Sequence, residues 1–303
     1  MNAVLIIDKP AGLTSHDVVN HVRRILDERS VGHLGTLDPL ATGVLPLVAG
    51  NLTRLAQFYT SSEKSYEGTI RFGFATDTYD VEGEPTTPRE EVALTTEQLD
   101  GFAPRFRGVI EQVPPPFSAK KIRGIPAYKL ARKKKVVMLE PVQVEIKSFE
   151  ITSCIGDVAT FRAHVSSGTY MRSVAHDLGR AVGCGGHLAS LRRTNVGEFG
   201  IADAHTLEEV ERACQQGRQE EVFVHPRRLL PGMPSVTATD ETAAAIRTGK
   251  SVNLPEFSGA KQVKVFWGQS ELIAIASRVA GTLFHPRIVL ASEFSPYVYP
   301  VTR

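Results

Sequence analysis

The stretch Gly32-His33-Leu34-Gly35-Thr36-Leu37-Asp38-Pro39-Leu40-Ala41-Thr42-Gly43 sets one carboxylate, Asp38, between a leucine and a proline in a segment rich in Gly and Thr. Such a segment bends tightly and can bring its backbone close to a ligand. Asp before Pro is also an ordinary turn residue, so local chemistry leaves a structural and a catalytic reading side by side. On the N-terminal side, Val4 to Ile7 reads as a short apolar strand, followed by a turn at Asp8-Lys9-Pro10-Ala11-Gly12. A helix then opens on a capping box at Thr14 and Asp17, with Val18, Val19, Val22, Ile25 and Leu26 on one apolar face. On the C-terminal side, Tyr66 to Phe74 and Asp157 to Val165 alternate apolar with polar residues, as half-buried strands do. Val142, Val144 and Ile146 start a third run whose register shifts by Phe149 and Ile151, the signature of a bulge. Helices recur from Met171 to Val182, closed by Gly183, and from Leu207 to Cys214, opened by a capping box at Thr206 and Glu209. Strands and helices alternate irregularly without a repeating βαβ unit. The expected fold class is therefore α+β, with a mixed, largely antiparallel sheet and flanking helices.

Pro226, Pro231, Gly232 and Pro234 crowd a segment that reads as a linker. Beyond it, Asp240 to Gly249 predicts a capped helix, Val263 to Trp267 and Leu272 to Val279 a hairpin, and Ile288 to Leu290 a further strand. The expected organisation is a main domain over residues 1–230 and a small β-barrel-like domain over 231–303.

A chain of 303 residues can bury a full core without disulfides. Cys154, Cys184 and Cys214 are odd in number and widely spaced, which argues against a zinc site or a disulfide framework and suits a reducing compartment. No segment approaches the ~18 apolar residues of a membrane span, and the first residues lack the pattern of a secretory leader. A soluble, cytoplasmic protein is expected. The net charge is only +2, but it is segregated: Lys120, Lys121, Arg123, Lys129, Arg132, Lys133, Lys134 and Lys135 follow one another without an acid, whereas residues 82–91 and 208–221 lean acidic. The basic run fits either a footprint for phosphate or a solvated surface segment.

The segment around Asp38, continued through Val44-Leu45, closely resembles the catalytic motif of the TruB family, the bacterial tRNA pseudouridine-55 synthases. Leu5-Ile6-Ile7-Asp8-Lys9-Pro10-Ala11-Gly12-Leu13-Thr14-Ser15 resembles that family's opening motif, and Lys64-Ser65-Tyr66 its Lys-x-Tyr motif. Residues 73–83, then Ser118-Ala119-Lys120-Lys121 with Gly124 and Ala127-Tyr128, resemble the following loop and insertion. Gly168-Thr169-Tyr170-Met171-Arg172-Ser173 and Leu188-Ala189-Ser190-Leu191-Arg192-Arg193-Thr194 complete an ordered series. Ile246-Arg247-Thr248-Gly249-Lys250 resembles the start of a PUA domain, the small RNA-binding barrel that often follows this catalytic domain.

The resemblance implies the pseudouridine synthase fold and isomerisation of a uridine in the T-arm of tRNA, by a stand-alone, monomeric enzyme without cofactor, metal or protein partner. Pseudouridylation breaks the bond from N1 of uracil to C1′ of ribose, turns the base, and joins C5 to C1′. It needs an ionised carboxylate close to sugar and base, and the resemblance assigns that role to Asp38. A dry pocket favours the neutral form of a carboxyl; the resemblance assigns the compensating cation to Arg172. It also places Tyr66 against the flipped uracil, Tyr170 and Leu191 in the surrounding wall, and His33 against the RNA near the vacated position. Stacking on an aromatic is worth about 1–3 kcal/mol per base, enough to offset much of the cost of extrusion. Without the resemblance, Tyr66 reads as an amphipathic strand residue, Leu191 as a core leucine and His33 as a loop histidine bonded to backbone. Tyr170 and Arg172 are expected in an extended segment just before a helix, pointing to the same side. Lys120, Lys121, Arg192 and Arg193 are candidates for the RNA backbone, and salt-sensitive binding is expected. Leu34 and Ser167 depart from the family pattern, which usually has a small or hydroxylated residue and a lysine there. Rival readings are an RNA-binding protein without the activity, a nucleosidase or glycosidase, and the guide-RNA-dependent branch of the family. A glycosidase generally needs two flanking carboxylates where this motif offers one, and the short tail favours the stand-alone branch.

Overall fold

The computed structural model describes residues 1–118, 120–122, 124–127, 130 and 139–290. Most of the basic run, including Arg123, Lys129 and residues 132–135, lies outside the described residues, as does the side chain of Lys121. Among the described residues, no helix is long and apolar enough to cross a membrane.

The larger sheet is built from β1 (Ala3–Lys9), β2 (Val31–His33), β3 (Thr42–Ala49), β4 (Lys64–Phe72), β5 (Gly108–Gln112), β6 (Val142–Ile155), β7 (Val158–Val165), β8 (Gly186–Val196) and β9 (Phe199–Gly200). Its order is β1-β3-β8-β4-β7-β6-β5, with β2 added to β3 and β9 to β8. Neighbours pair antiparallel except at β3–β8, where Thr42 and Gly43 run parallel to Arg192 and Arg193. The bulge read in β6 is present, as register shifts between Ile146 and Ser148 and between Ile151 and Ser153. Against one face pack α1 (Ser15–Leu26), α3 (Met171–Val182) and α4 (Leu207–Gln215), while α2 (Thr96–Asp100) lies near β6. The capping boxes at Thr14 and Thr206 each satisfy a donor that the first helical turn would leave orphaned.

The alternation along β1 and β3 sends residues to two different cores. Leu5, Ile7, Leu45 and Leu47 face the helices, while Val4, Ile6, Val44 and Val48 face the opposite side. There they meet Phe266, Leu272, Ile275 and Ile288 from a second, five-stranded sheet, and Leu290 just beyond its last strand. That sheet, in order β10-β12-β13-β14-β11, comprises β10 (Ser235–Ala238), β11 (Val252–Asn253), β12 (Gln262–Trp267), β13 (Glu271–Ala280) and β14 (Leu283–Val289), with α5 (Asp240–Arg247) beside it. Residues 226–234 are not a loose linker: Pro226 and Leu229 are buried, and the Leu229 carbonyl accepts a 2.7 Å bond from the buried Lys264. Asn51 and Arg54 donate to the carbonyls of Leu290 and Val289 at 2.8 and 2.7 Å, tying the two sheets together.

Candidate active site

The loop from Leu34 to Ala41 leaves β2 and returns into β3, and its backbone is held from several directions. The buried Ser15 hydroxyl accepts from the Leu37 N–H at 2.8 Å and is 3.0 Å from the Leu37 carbonyl. The Pro39 carbonyl accepts from the Gly12 N–H at 2.8 Å and from the Lys9 ammonium at 3.2 Å. Lys9 is buried, and its ammonium also donates to the carbonyls of Pro10 and Leu13 at 2.8 and 2.7 Å. Burial pushes its amine down to about 8, opposed by the charges of Asp38 and Glu82. Gly43 has φ +97°, and a Cβ there would lie 2.2 Å from the Arg193 carbonyl, so only glycine lets β3 run this close to β8.

So fixed, Asp38 meets Arg172 side on. Arg172 Nη2 donates to Asp38 Oδ1 at 3.1 Å, and Nε lies 2.9 Å from Oδ2, close enough for charge attraction although its N–H is not aligned for a hydrogen bond. The two differ in access: the Asp38 side chain is 33% exposed and that of Arg172 6%. The guanidinium is surrounded on its other edges, with Nη1 3.4 Å from the buried Asp80 carboxylate and 3.2 Å from the Thr78 carbonyl, and Nη2 3.1 Å from the Phe117 carbonyl. Asp80 in turn accepts from the Thr78 hydroxyl at 2.6 Å and the Glu82 N–H at 3.1 Å. Burial raises its carboxyl above the usual range, opposed by the Thr78 hydroxyl and Arg172. Arg172 does not precede the helix: it sits in the first turn of α3, and only Tyr170, the N-cap at φ −101° and ψ 108°, is extended. A cation at a helix N-terminus is unfavourable to the helix dipole; the two carboxylates offset it.

Tyr66 and Leu191 lie in the helix-side core, on the adjacent strands β4 and β8. Leu191 pairs with Gly68 and Arg193 with Tyr66, so these side chains share a face. Burial raises the Tyr170 hydroxyl above its ordinary value, and Arg172 and Asp38 both act on it. His33 lies on β2; burial first, then the charge of Arg193, holds its imidazole below the usual value, and its Nδ1 accepts from the Gly35 N–H at 3.3 Å. That bond places the proton of the neutral ring on Nε2. Lys120 is exposed.

The adjacent arginines on β8 separate. Arg193 is fully buried, with Nε donating to the Val44 carbonyl at 2.8 Å, Nη1 to Thr36 at 3.1 Å and Nη2 to Gly35 at 3.0 Å. It has no carboxylate within salt-bridge distance among the described residues; burial lowers its pKa from the ordinary guanidinium value, opposed by Tyr66 and Asp38. Arg193 as an RNA-backbone contact is therefore corrected, because a side chain closed off from solvent and spent on three carbonyls cannot reach a phosphate. Arg192 points the other way and grips Asp8 through both guanidinium nitrogens, at 3.0 and 2.8 Å. Lys9 and Asp80, which hold the Asp38 loop and Arg172, are residues whose position at the site the sequence alone did not assign. The signals for Lys9 were the turn Asp8-Lys9-Pro10-Ala11-Gly12 and its place in the opening motif.

The family model described as TruB family pseudouridylate synthase (N terminal domain) matches residues 23–171, and that of the tRNA pseudouridylate synthase B C-terminal domain matches 172–234. A relative from Solibacter usitatus, named tRNA pseudouridine synthase B, is 50% identical over 293 residues, covering 96% of this chain and 100% of its own. One of the same name from Aquifex aeolicus is 39% identical over 292 residues, with 96% and 100% covered. Among solved structures, a chain of an H/ACA RNP bound to a substrate RNA containing 2′-deoxyuridine superposes with TM-score 0.70 at 23% identity, covering 95% of this chain and 85% of that one. A chain of a Cbf5-Nop10-Gar1 complex gives TM-score 0.70 at 24% identity, with the same coverage. The fold is thus the α+β pseudouridine synthase fold, with a small PUA-like sheet at its C-terminal end. The protein belongs to the TruB family of pseudouridylate synthases.

Proposed function

We propose that this protein converts uridine 55 in the T-arm of tRNA to pseudouridine, with Asp38 as the reacting carboxylate. The observation that carries the reading is the Asp38–Arg172 pair, in which a partly open carboxylate is aligned by a closed-off cation. The names of the relatives support tRNA as the substrate, and the family resemblance supports position 55. In the reaction the N1–C1′ bond breaks, the uracil turns, and C5 bonds to C1′; C5 loses a proton and N1 gains one, so the product is an isomer of the substrate. Asp38 acts as a nucleophile, at C1′ or on the uracil, or as a base in a stepwise path, and each route needs an anion that substrate can reach. Arg172 is the cation that holds it, with Asp80 and Thr78 fixing the far side of the guanidinium.

The extruded uracil stacks on Tyr66, with Leu191 and Tyr170 completing the wall and His33 contacting the RNA near the gap. Residues 1–230 form the catalytic domain and 231–303 a PUA-like RNA-binding domain. Lys120 and Lys121 open the basic segment that meets the RNA backbone, and Arg192 contributes less, its charge being matched by Asp8. The test is Asp38→Asn on an unmodified tRNA transcript without added cofactor, with pseudouridine mapped by chemical probing. Turnover is lost while the transcript still binds; an active Asp38→Asn, or product outside the T-arm, overturns the reading.

A further inference from the structure

Gln112 closes β5, is 1% exposed, and belongs to none of the motifs discussed above. Its carboxamide forms a closed pair with one residue: Oε1 accepts from the Tyr170 N–H at 2.8 Å, and Nε2 donates to the Tyr170 carbonyl at 3.1 Å. The N–H belongs to the peptide before Tyr170 and the carbonyl to the peptide after it. One amide therefore pins both peptide planes whose relative rotation is φ and ψ of Tyr170. These are the torsions that direct the Tyr170 side chain and launch α3. No side chain of Tyr170 itself caps that helix, and its carbonyl also accepts the first helical bond, from the Val174 N–H at 3.2 Å.

The segment after Gln112 follows the same path along the helix start. The Val113 carbonyl accepts from the Ser173 hydroxyl at 2.7 Å, and the Phe117 carbonyl accepts from Arg172 Nη2 at 3.1 Å. Tyr170, Arg172 and Ser173 are thus all registered against residues 112–117. Arg172 lies two residues beyond the pinned peptide and carries the orientation of Asp38. We infer that Gln112 is a positioning residue for the isomerisation, acting through the Tyr170 backbone to set Tyr170 and Arg172 against Asp38. The inference rests on the pocket assigned under the proposed function. A buried carboxamide is chemically suited to the task because it presents a donor and an acceptor in one plane, as a peptide does.

The distinguishing experiment compares Gln112→Glu and Gln112→Met with the parent, measuring kcat and KM on a tRNA transcript from pH 5.5 to 8.5. Gln112→Glu is nearly isosteric. Ionised, it keeps the acceptor for the Tyr170 N–H but sets a second lone-pair oxygen against the Tyr170 carbonyl; protonated, it regains a donor. Its kcat relative to parent is expected to fall about 10- to 100-fold at pH 8.5, the scale of an ångström-level misplacement, and to recover as the pH drops to 5.5. KM stays within about 3-fold, because Gln112 itself is buried away from the RNA and Tyr170 is one contact among many that hold the transcript. Gln112→Met should lose kcat at every pH without recovery. Parental kcat in Gln112→Met, or a Gln112→Glu deficit that does not change with pH, overturns the inference. Asp38→Asn assayed alongside separates the two levels: if it stays active the pocket assignment fails, and if it is dead while Gln112→Met is fully active only the role of Gln112 fails.

Discussion

Replacing Arg193 with Met tests whether the loop that carries Asp38 is held from inside the protein. The substitution keeps the length of the stem and removes the donors to Val44, Thr36 and Gly35, which lie at 2.8, 3.1 and 3.0 Å. A buried acceptor left without its partner costs about 1–3 kcal/mol, so the gross loss for these carbonyls is about 3–9 kcal/mol. Removing the guanidinium also relieves the cost of burying a charge, which is several kcal/mol. Offsetting the one against the other leaves a net loss of about 1–5 kcal/mol. With an unfolding entropy of about 2.1 cal/mol/K per residue and 303 residues, that lowers Tm by about 2–8 °C. Arg192→Met is the matched control: its ion pair with Asp8 is partly exposed, with Arg192 at 41%, and such pairs are worth about 0–1 kcal/mol. Scanning calorimetry on both variants reads the difference, and kcat should fall for Arg193→Met because Gly35 and Thr36 lie just before Asp38. A Tm for Arg193→Met within about 2 °C of parent, or an equal loss in Arg192→Met, would refute the clamp.

Asp80→Asn preserves shape and keeps one oxygen for the Thr78 hydroxyl and the Glu82 N–H, but sets an NH2 group where the second oxygen faced Arg172 and removes one of the carboxylates that flank it. The expected loss is about 1.5–3 kcal/mol, the range for hydrogen bonds to charged groups, or about 10- to 150-fold in kcat, with transcript binding retained; a parental kcat would remove Asp80 from the site. Lys9 gives a pH prediction whose sign follows from its amine being lowered from 10.5 to about 8. Between those values the unfolded chain holds the extra proton, so this group makes stability rise with pH across the window and makes it fall as pH drops through 8. Denaturant titrations at pH 8 and pH 10 should show that rise in the parent relative to Lys9→Met, and parallel pH dependence in the two proteins would contradict the burial of a costly charge.

What was legible in the sequence was local. The capping boxes at Thr14 and Thr206 involve neighbours within one turn, and strand alternation in β4 and β7 shows which residues share a face. The Asp38 loop was legible because its residue types are contiguous. The division between Arg192 and Arg193 was not, because adjacent strand residues point to opposite faces, and the packing of β3, β4 and the loop before β3 determines which of the two is enclosed. Tyr170 and Arg172 were read as one extended pair, whereas α3 begins between them, with Arg172 already in its first turn. Gln112 meets Tyr170 across 58 positions of chain, and Asp80 meets Arg172 across a still longer gap; the motif around Asp80 does not name its partner, and Gln112 lies in no motif, since both contacts exist only after the sheet and α3 have packed.

The two-faced packing of β1 and β3 constrains how this protein can be divided or redesigned. A cut after residue 230 would not release an intact catalytic unit, because Val44 and Val48, on the strand leading away from Asp38, would lose their apolar cover of Phe266, Leu272 and Ile288. Melting should accordingly be a single cooperative event, and a domain graft would need to carry the whole buried seam, including Leu229 and Lys264, with whichever half is moved.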